Sequence, residues 1–241
     1  MSKDPTAFDT GAAVTRSLLG WGVVAGPFYV VVGLVLALTR PGFDLGKHAL
    51  SLLMLGDLGW LQRVDFILAA LMVLAAAYGI LRAIRDGRGL AIAALTGVYG
   101  ACLILSGIFA PDPVAGFPPG SAGGTATTSG ILHLVFGALG FVALAVAAFA
   151  YAGWASSRRE RGQIVLGVVS GVVVLIGFAG GAALSGSLAG VLLLWIAVLA
   201  GWLWLALAAA RIYAIVPHPV IAMRGADRGA AAASAGHGSP R

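Results

Sequence analysis

Charge is what this sequence has least of. Asp, Glu, Lys and Arg make up 10% of its 241 residues, against 60% hydrophobic ones, whereas a soluble domain carries about 25% charged residues. So little charge cannot cover a water-facing surface, which excludes an ordinary soluble globular domain. Cysteine is almost missing too. Cys102 stands alone inside an apolar run, so the chain forms no internal disulfide and offers no Cys–His metal spacing. There is no P-loop, dinucleotide fingerprint, GxSxG or HExxH pattern.

What the chain has instead is apolar runs of roughly 20 residues, the length that crosses a hydrocarbon core of about 30 Å as a helix. The mean hydropathy is +0.98. These runs predict an all-α membrane protein, a six-helix transmembrane bundle with spans near 17–39, 64–84, 89–110, 130–154, 162–182 and 189–211. The first span is too long for a signal-peptide core and lacks a small-x-small cleavage site, so it reads as a retained anchor. The expected organisation is a cytoplasmic tail over 1–16, the membrane domain over 17–211, and a low-complexity, disordered cytoplasmic tail over 212–241.

The net charge of +6 and pI near 10.1 do not point to nucleic acid, because the basic residues punctuate apolar runs instead of forming a patch on a soluble module. Twelve of the fifteen fall on one side of a six-span arrangement: Lys3, Arg16, Arg82, Arg85, Arg88, Arg158, Arg159, Arg161, Arg211, Arg224, Arg228 and Arg241. Only Arg40, Lys47 and Arg63 fall on the other. The positive-inside rule makes the twelve cytoplasmic, with both termini inside.

The same rule decides the reading of residues 47–65, KHALSLLMLGDLGWLQRVD. As a seventh span this stretch would turn ten basic residues outward and carry Asp57 through hydrocarbon, at roughly 2.5–3.5 kcal/mol for a charge at the helix centre. It therefore predicts a short outer interfacial helix between spans 1 and 2, with Asp44 as N-cap. His48, Ser51, Leu52 and Leu55 would share one face, and Trp60 would sit at the interface.

Few ionisable groups approach the membrane from that outer side. His48, Ser51, Trp60, Asp65, Asp112 and His133 belong to one level by the span assignment and form a candidate ligand pocket. His133, Asp112, His48 and Ser51 are the candidate catalytic groups. His133, an imidazole amid Ile, Leu, Val and Phe, reads either as a general base, proton carrier or metal ligand, or as a side chain hydrogen-bonded to Asp112, Asp65 or a backbone carbonyl. Asp112, between two prolines, is an aimed carboxylate or a turn residue; Asp65 is a pocket carboxylate, or a local ion pair with Arg63 or a cap. Ser51 as a nucleophile needs His48 within hydrogen-bond reach. Two histidines plus carboxylates suffice for some transition metals, but a three-histidine zinc site is excluded, because His218 and His237 follow the last span. No metal or cofactor is named by the residues. Interior glycines such as Gly22, Gly26, Gly167, Gly171, Gly177, Gly180 and Gly181 read as close-packing faces between helices.

HALSLLMLGDLGWLQRVDF, GIFAPDP and TSGILHLVFGALGF together resemble a bacterial multi-pass family labelled domain of unknown function 998, over about residues 15–212. The resemblance implies an integral protein of the bacterial plasma membrane and marks Ser51, Trp60, Asp112 and His133 as motif positions. The family has no established general activity. A remoter likeness to membrane hydrolases of the ceramidase and adiponectin-receptor type lacks their third histidine. The expected function is an outward-facing polar pocket for a lipid headgroup or small molecule, in a sensor, accessory or transport component with membrane lipids as partners. The alternatives are a lipid-acting enzyme, in particular a hydrolase, using the same His/Asp/Ser cluster, and a purely structural polar cluster.

Overall fold

In the computed structural model, residues 8–114, 116–124 and 126–220 are described. The apolar runs form six long helices: α1 Thr10–Thr39, α2 Gly59–Ala83, α3 Gly87–Ile108, α4 Thr128–Ser157, α5 Arg161–Ala183 and α6 Leu188–Ile215. All six are long and apolar enough to cross a membrane. Four begin at a side-chain cap, which satisfies one of the orphan N–H groups of a helix start. Asp9 accepts from Ala12 N–H, Asp86 from Gly89, Thr127 from Gly130 and Ser187 from Gly190. The Asp9 cap starts α1 at Thr10, within the stretch expected to be a tail. At the other end α6 runs on to Ile215. Lys3, Arg224, Arg228, His237 and Arg241, with most of the expected C-terminal tail, lie outside the described residues.

Consecutive helices pack on each other, and α6 returns against α1, α2, α4 and α5. Small residues line the interior and large aliphatic ones face outward on every helix, among them Val31 and Leu38 on α1, Leu71 on α2, Leu134 on α4, Ile176 on α5 and Leu203 on α6. Such continuous apolar exposure is what lipid, not water, solvates. The interior glycines are sites of close approach. A Cβ at Gly22 would lie 2.8 Å from Ala76 and 2.9 Å from Ala209, and one at Gly177 2.7 Å from the Leu193 carbonyl. These faces therefore join helices of the same chain: α1 to α2 and α6, and α5 to α6.

The two ends of the bundle differ. At the arginine-rich end, Glu160 in the α4–α5 turn accepts from Arg211 Nη2 at 2.6 Å and Nε at 2.9 Å, and from Arg158 Nε at 3.0 Å. The Arg211 guanidinium holds the Glu160 carboxyl below the usual carboxylate range, with Arg158 reinforcing it. The other end carries the long connections, residues 40–58 and 109–127, and the short turn 184–187.

Residues 44–62 do not form the expected interfacial helix. Between the end of α1 and the start of α2 at Gly59 only Leu50–Met54 are helical, as one short 3₁₀ segment, and Leu50, Leu52, Leu53 and Met54 are buried. Asp44 is not its N-cap. The Asp44 carboxylate accepts from Gly46 N–H at 2.8 Å, and its carbonyl accepts from Lys47 and His48 N–H, closing a turn before any helix starts. Ala49 is then extended. Gly33 of α1 leaves the space in which Leu50 sits, so the apolar side chains drop into the bundle instead of lying along its surface. With Leu55 outside the helix, the expected shared face of His48, Ser51, Leu52 and Leu55 does not exist.

Candidate functional site

Helix α3 ends at Ile108, leaving carbonyls that no helical N–H reaches. Neighbouring side chains supply the donors. His133 Nδ1 lies 2.9 Å from the Ser106 carbonyl oxygen and 2.9 Å from that of Phe109. Both oxygens are acceptors only, so Nδ1 carries the hydrogen and donates to the two. Ser129 Oγ donates to the Ala110 carbonyl at 2.9 Å, and Arg63 Nη1 reaches that of Ile108 at 3.3 Å. Ser106 Oγ returns a long bond, 3.4 Å, to the His133 carbonyl.

Asp112 serves the start of the next helix. Its Oδ1 accepts from Thr127 Oγ1 at 2.6 Å and its Oδ2 from Thr127 N–H at 3.1 Å, while Thr127 Oγ1 accepts from Gly130 N–H at 3.1 Å. Asp112 thus orients the residue that caps α4. Gly130 is required by this arrangement, because a Cβ there would overlap the Asp112 carboxylate. Asp112 and His133 are brought to the same α3–α4 junction, each bonded to different groups.

His48 belongs to a second cluster. It is buried, with its ring 5.3 Å from Phe43 and 5.3 Å from Phe117, so it joins the 43–48 turn to the 109–127 connection. Its Nδ1 accepts from Asp44 N–H at 3.0 Å. Burial lowers the His48 imidazole below its usual value, against the opposing pull of the Asp44 carboxylate, while Lys47 adds to the lowering. The unfolded chain, titrating near pH 6.5, takes up the proton first. The stability contributed by neutral His48 is thus present above about pH 6.5 and lost as pH falls through the lower folded value. We expect amide exchange at Asp44 and Gly46, corrected for the intrinsic rate, to accelerate as pH is lowered from 7 to 5 (about one and a half units below the free imidazole value). The acceleration should vanish in His48→Phe; a flat profile in the wild type would remove this role.

The other predicted positions are dispersed. Ser51 is half-buried and makes no hydrogen bond with His48. Trp60 is 58% exposed on the outer surface of α2, away from the buried groups. Asp65 is 1% exposed and pairs not with Arg63 but with Gln62, whose Nε2 donates to Oδ2 at 2.9 Å. No group of three or more His, Cys, Asp or Glu side chains with metal-binding proximity occurs among the described residues.

A concavity at this end is lined by none of the predicted site residues. Arg40, Pro41, Leu55–Leu58 and Phe117–Pro119 line a cleft of about 380 Å³. Arg40 Nη2 donates to the Leu53 carbonyl at 3.2 Å and to that of Leu55, so the guanidinium pins the end of the 3₁₀ segment while standing in the cleft wall. Sequence reasoning passed over Arg40, Thr127 and Gly130. A signal for the last two was available: a capping residue followed three positions later by glycine recurs as Asp86–Gly89, Thr127–Gly130 and Ser187–Gly190.

Comparison with curated proteins and with solved structures finds no match. The family model described as protein of unknown function, DUF998, matches residues 23–211, a stretch that runs from within α1 into α6. With well over half of its length matched, this polytopic membrane protein belongs to the DUF998 family.

Proposed function

We propose that the protein binds the headgroup of a zwitterionic phospholipid or a similar small amphiphile in the cleft between residues 40–58 and the 117–119 turn, as a sensor, accessory or transport component. One observation carries this reading: a single cation, Arg40, and a single carboxylate, Asp57, share a cleft otherwise walled by Pro41, Leu55, Leu58, Phe117, Pro118 and Pro119. Apolar walls with a few convergent polar groups are the usual make-up of a small-molecule site. Arg40 suits a phosphate through Nε and Nη1, since Nη2 is taken by the Leu53 and Leu55 carbonyls, and Asp57 suits an ammonium group. His48 and Asp112 hold the two connections that form the cleft, and His133 holds the end of α3 from which the second one starts. Against a lipid hydrolase built on the same residues stands their placement: Thr127 holds both Asp112 oxygens, and His48, Ser51 and His133 share no hydrogen bond.

Sidedness follows from charge. Arg16, Arg82, Arg85, Arg88, Arg158, Arg159, Arg161 and Arg211 cluster at the end opposite the cleft. By the positive-inside rule that end is cytoplasmic, with both termini, and the cleft opens on the outer face of a bacterial plasma membrane.

The test is the thermal stabilisation of detergent-purified protein on adding phosphatidylethanolamine. The wild type should gain stability, Arg40→Gln should lose that gain, and Asp57→Asn should lose part of it. Asp57 is exposed, so a loss in its variant reports the cleft and not a folding defect. Equal gains in all three proteins would rule the cleft out.

A further inference from the structure

Gln62 and Asp65 lie one turn apart on α2, 0% and 1% exposed. One hydrogen bond joins them, Gln62 Nε2 to Asp65 Oδ2 at 2.9 Å. The other oxygen of each group, Gln62 Oε1 and Asp65 Oδ1, has no partner. Both orphans are acceptors, and unsatisfied buried acceptors are costly, a charged one most of all. Asp65 makes no ion pair among the described residues, and Arg63 is turned away to the Ile108 carbonyl. Phe66, the next residue, packs on Tyr29 of α1 with ring centroids 5.4 Å apart and on His133 of α4 at 6.5 Å. The hydroxyl of buried Tyr29 is within electrostatic range of Asp65 but makes no hydrogen bond to it.

Three things can satisfy two neighbouring acceptors: a water donating to both, a cation, or a hydrogen on one of them. Each oxygen has less than 1 Å² of accessible surface, too little to seat a water that donates to both. A cation needs several more oxygen ligands than this pair offers. A hydrogen needs no added volume. An amide and a carboxylic acid already joined by N–H···O are completed by a parallel O–H···O bond between the two remaining oxygens, and those are the two orphans.

We propose that Asp65 holds a proton on Oδ1 and donates it to Gln62 Oε1, closing an amide–carboxylic acid ring inside the membrane-spanning bundle. The ligand of this site is a proton. It is stored about 9 Å along α2 from Gly59, at 1.5 Å per residue, and a neutral carboxyl lets an acidic residue occupy that depth.

Infrared difference spectroscopy of the wild type and Asp65→Asn in lipid at neutral pH tests the proposal. A carboxylic-acid C=O stretch should be present in the wild type and missing from Asp65→Asn. It should move to higher frequency in Gln62→Leu, where the Nε2 donor is lost. An ionised-carboxylate signal assigned to Asp65 would overturn the proposal. Folding supplies an independent readout, because asparagine keeps the ring: its amide donates to Gln62 Oε1 and accepts from Nε2. Asp65→Asn should therefore keep the wild-type melting temperature, and a large fall in it would also overturn the proposal.

Discussion

Gly130→Ala is expected to lower unfolding stability by about 2–4 kcal/mol, about 1–3 from overpacking and about 1 from a lost helix cap. The added methyl would occupy the position of the Asp112 carboxylate. Moving Asp112 releases both of its bonds to Thr127, the residue that caps α4. The sign is opposite to the general tendency, since glycine inside a helix is worse than alanine by about 0.5–1 kcal/mol. Gly137 and Gly153, also in α4, have open space where a Cβ would go. Alanine there should stabilise by about that amount. Unfolding in mixed micelles, followed by denaturing-detergent titration, reads all three. A Gly130→Ala protein as stable as Gly153→Ala would mean that Asp112 does not hold the start of α4.

The second large effect concerns His133. His133→Ala should cost about 3 kcal/mol, because it leaves the Ser106 and Phe109 carbonyls without their donor and opens a cavity. The chemistry of the replacement separates a capping role from acid–base or metal work. Asparagine places its amide nitrogen near the position of Nδ1, whereas glutamine places its own nearer Nε2. His133→Asn should thus recover roughly half of the loss, on the order of 1–2 kcal/mol, and His133→Gln little of it. Recovery by glutamine instead of asparagine would assign the working atom to Nε2 and remove the capping role.

Both effects arise where sequence reasoning and tertiary structure part company. His133 drew attention because an imidazole inside an apolar run is costly, and of the partners considered for it, a backbone carbonyl is the one it has. Asp112 between two prolines suggested an aimed carboxylate, and its target is Thr127 fifteen residues on. Neither pairing has a signature in residue spacing, since the loop between them sets it. Residues 44–62 misled in a different way. Their apolar spacing suited a surface helix, but Asp44 and His48 satisfy each other's backbone and side-chain groups locally, and Arg40 binds the carbonyls where the helix would have continued. Short polar side chains competing for nearby backbone groups commonly outweigh helix periodicity.

Composition and hydrophobic run length determined the class, the six helices and their approximate bounds, because a continuous apolar run of about 20 residues satisfies its own backbone in hydrocarbon as a helix, whereas barrel strands are about half as long. Interior glycines likewise foretold close helix contacts, since a missing side chain admits a neighbour wherever it comes from. Which polar groups meet was decided only by the tertiary structure. Hydrogen bonds act over about 3 Å, and at that range the path of the 40–58 and 109–127 connections, not the order of residues, selects each partner. That is why His133 lies on the end of α3, Asp112 on the start of α4, and Asp65 beside Gln62, instead of around one shared centre.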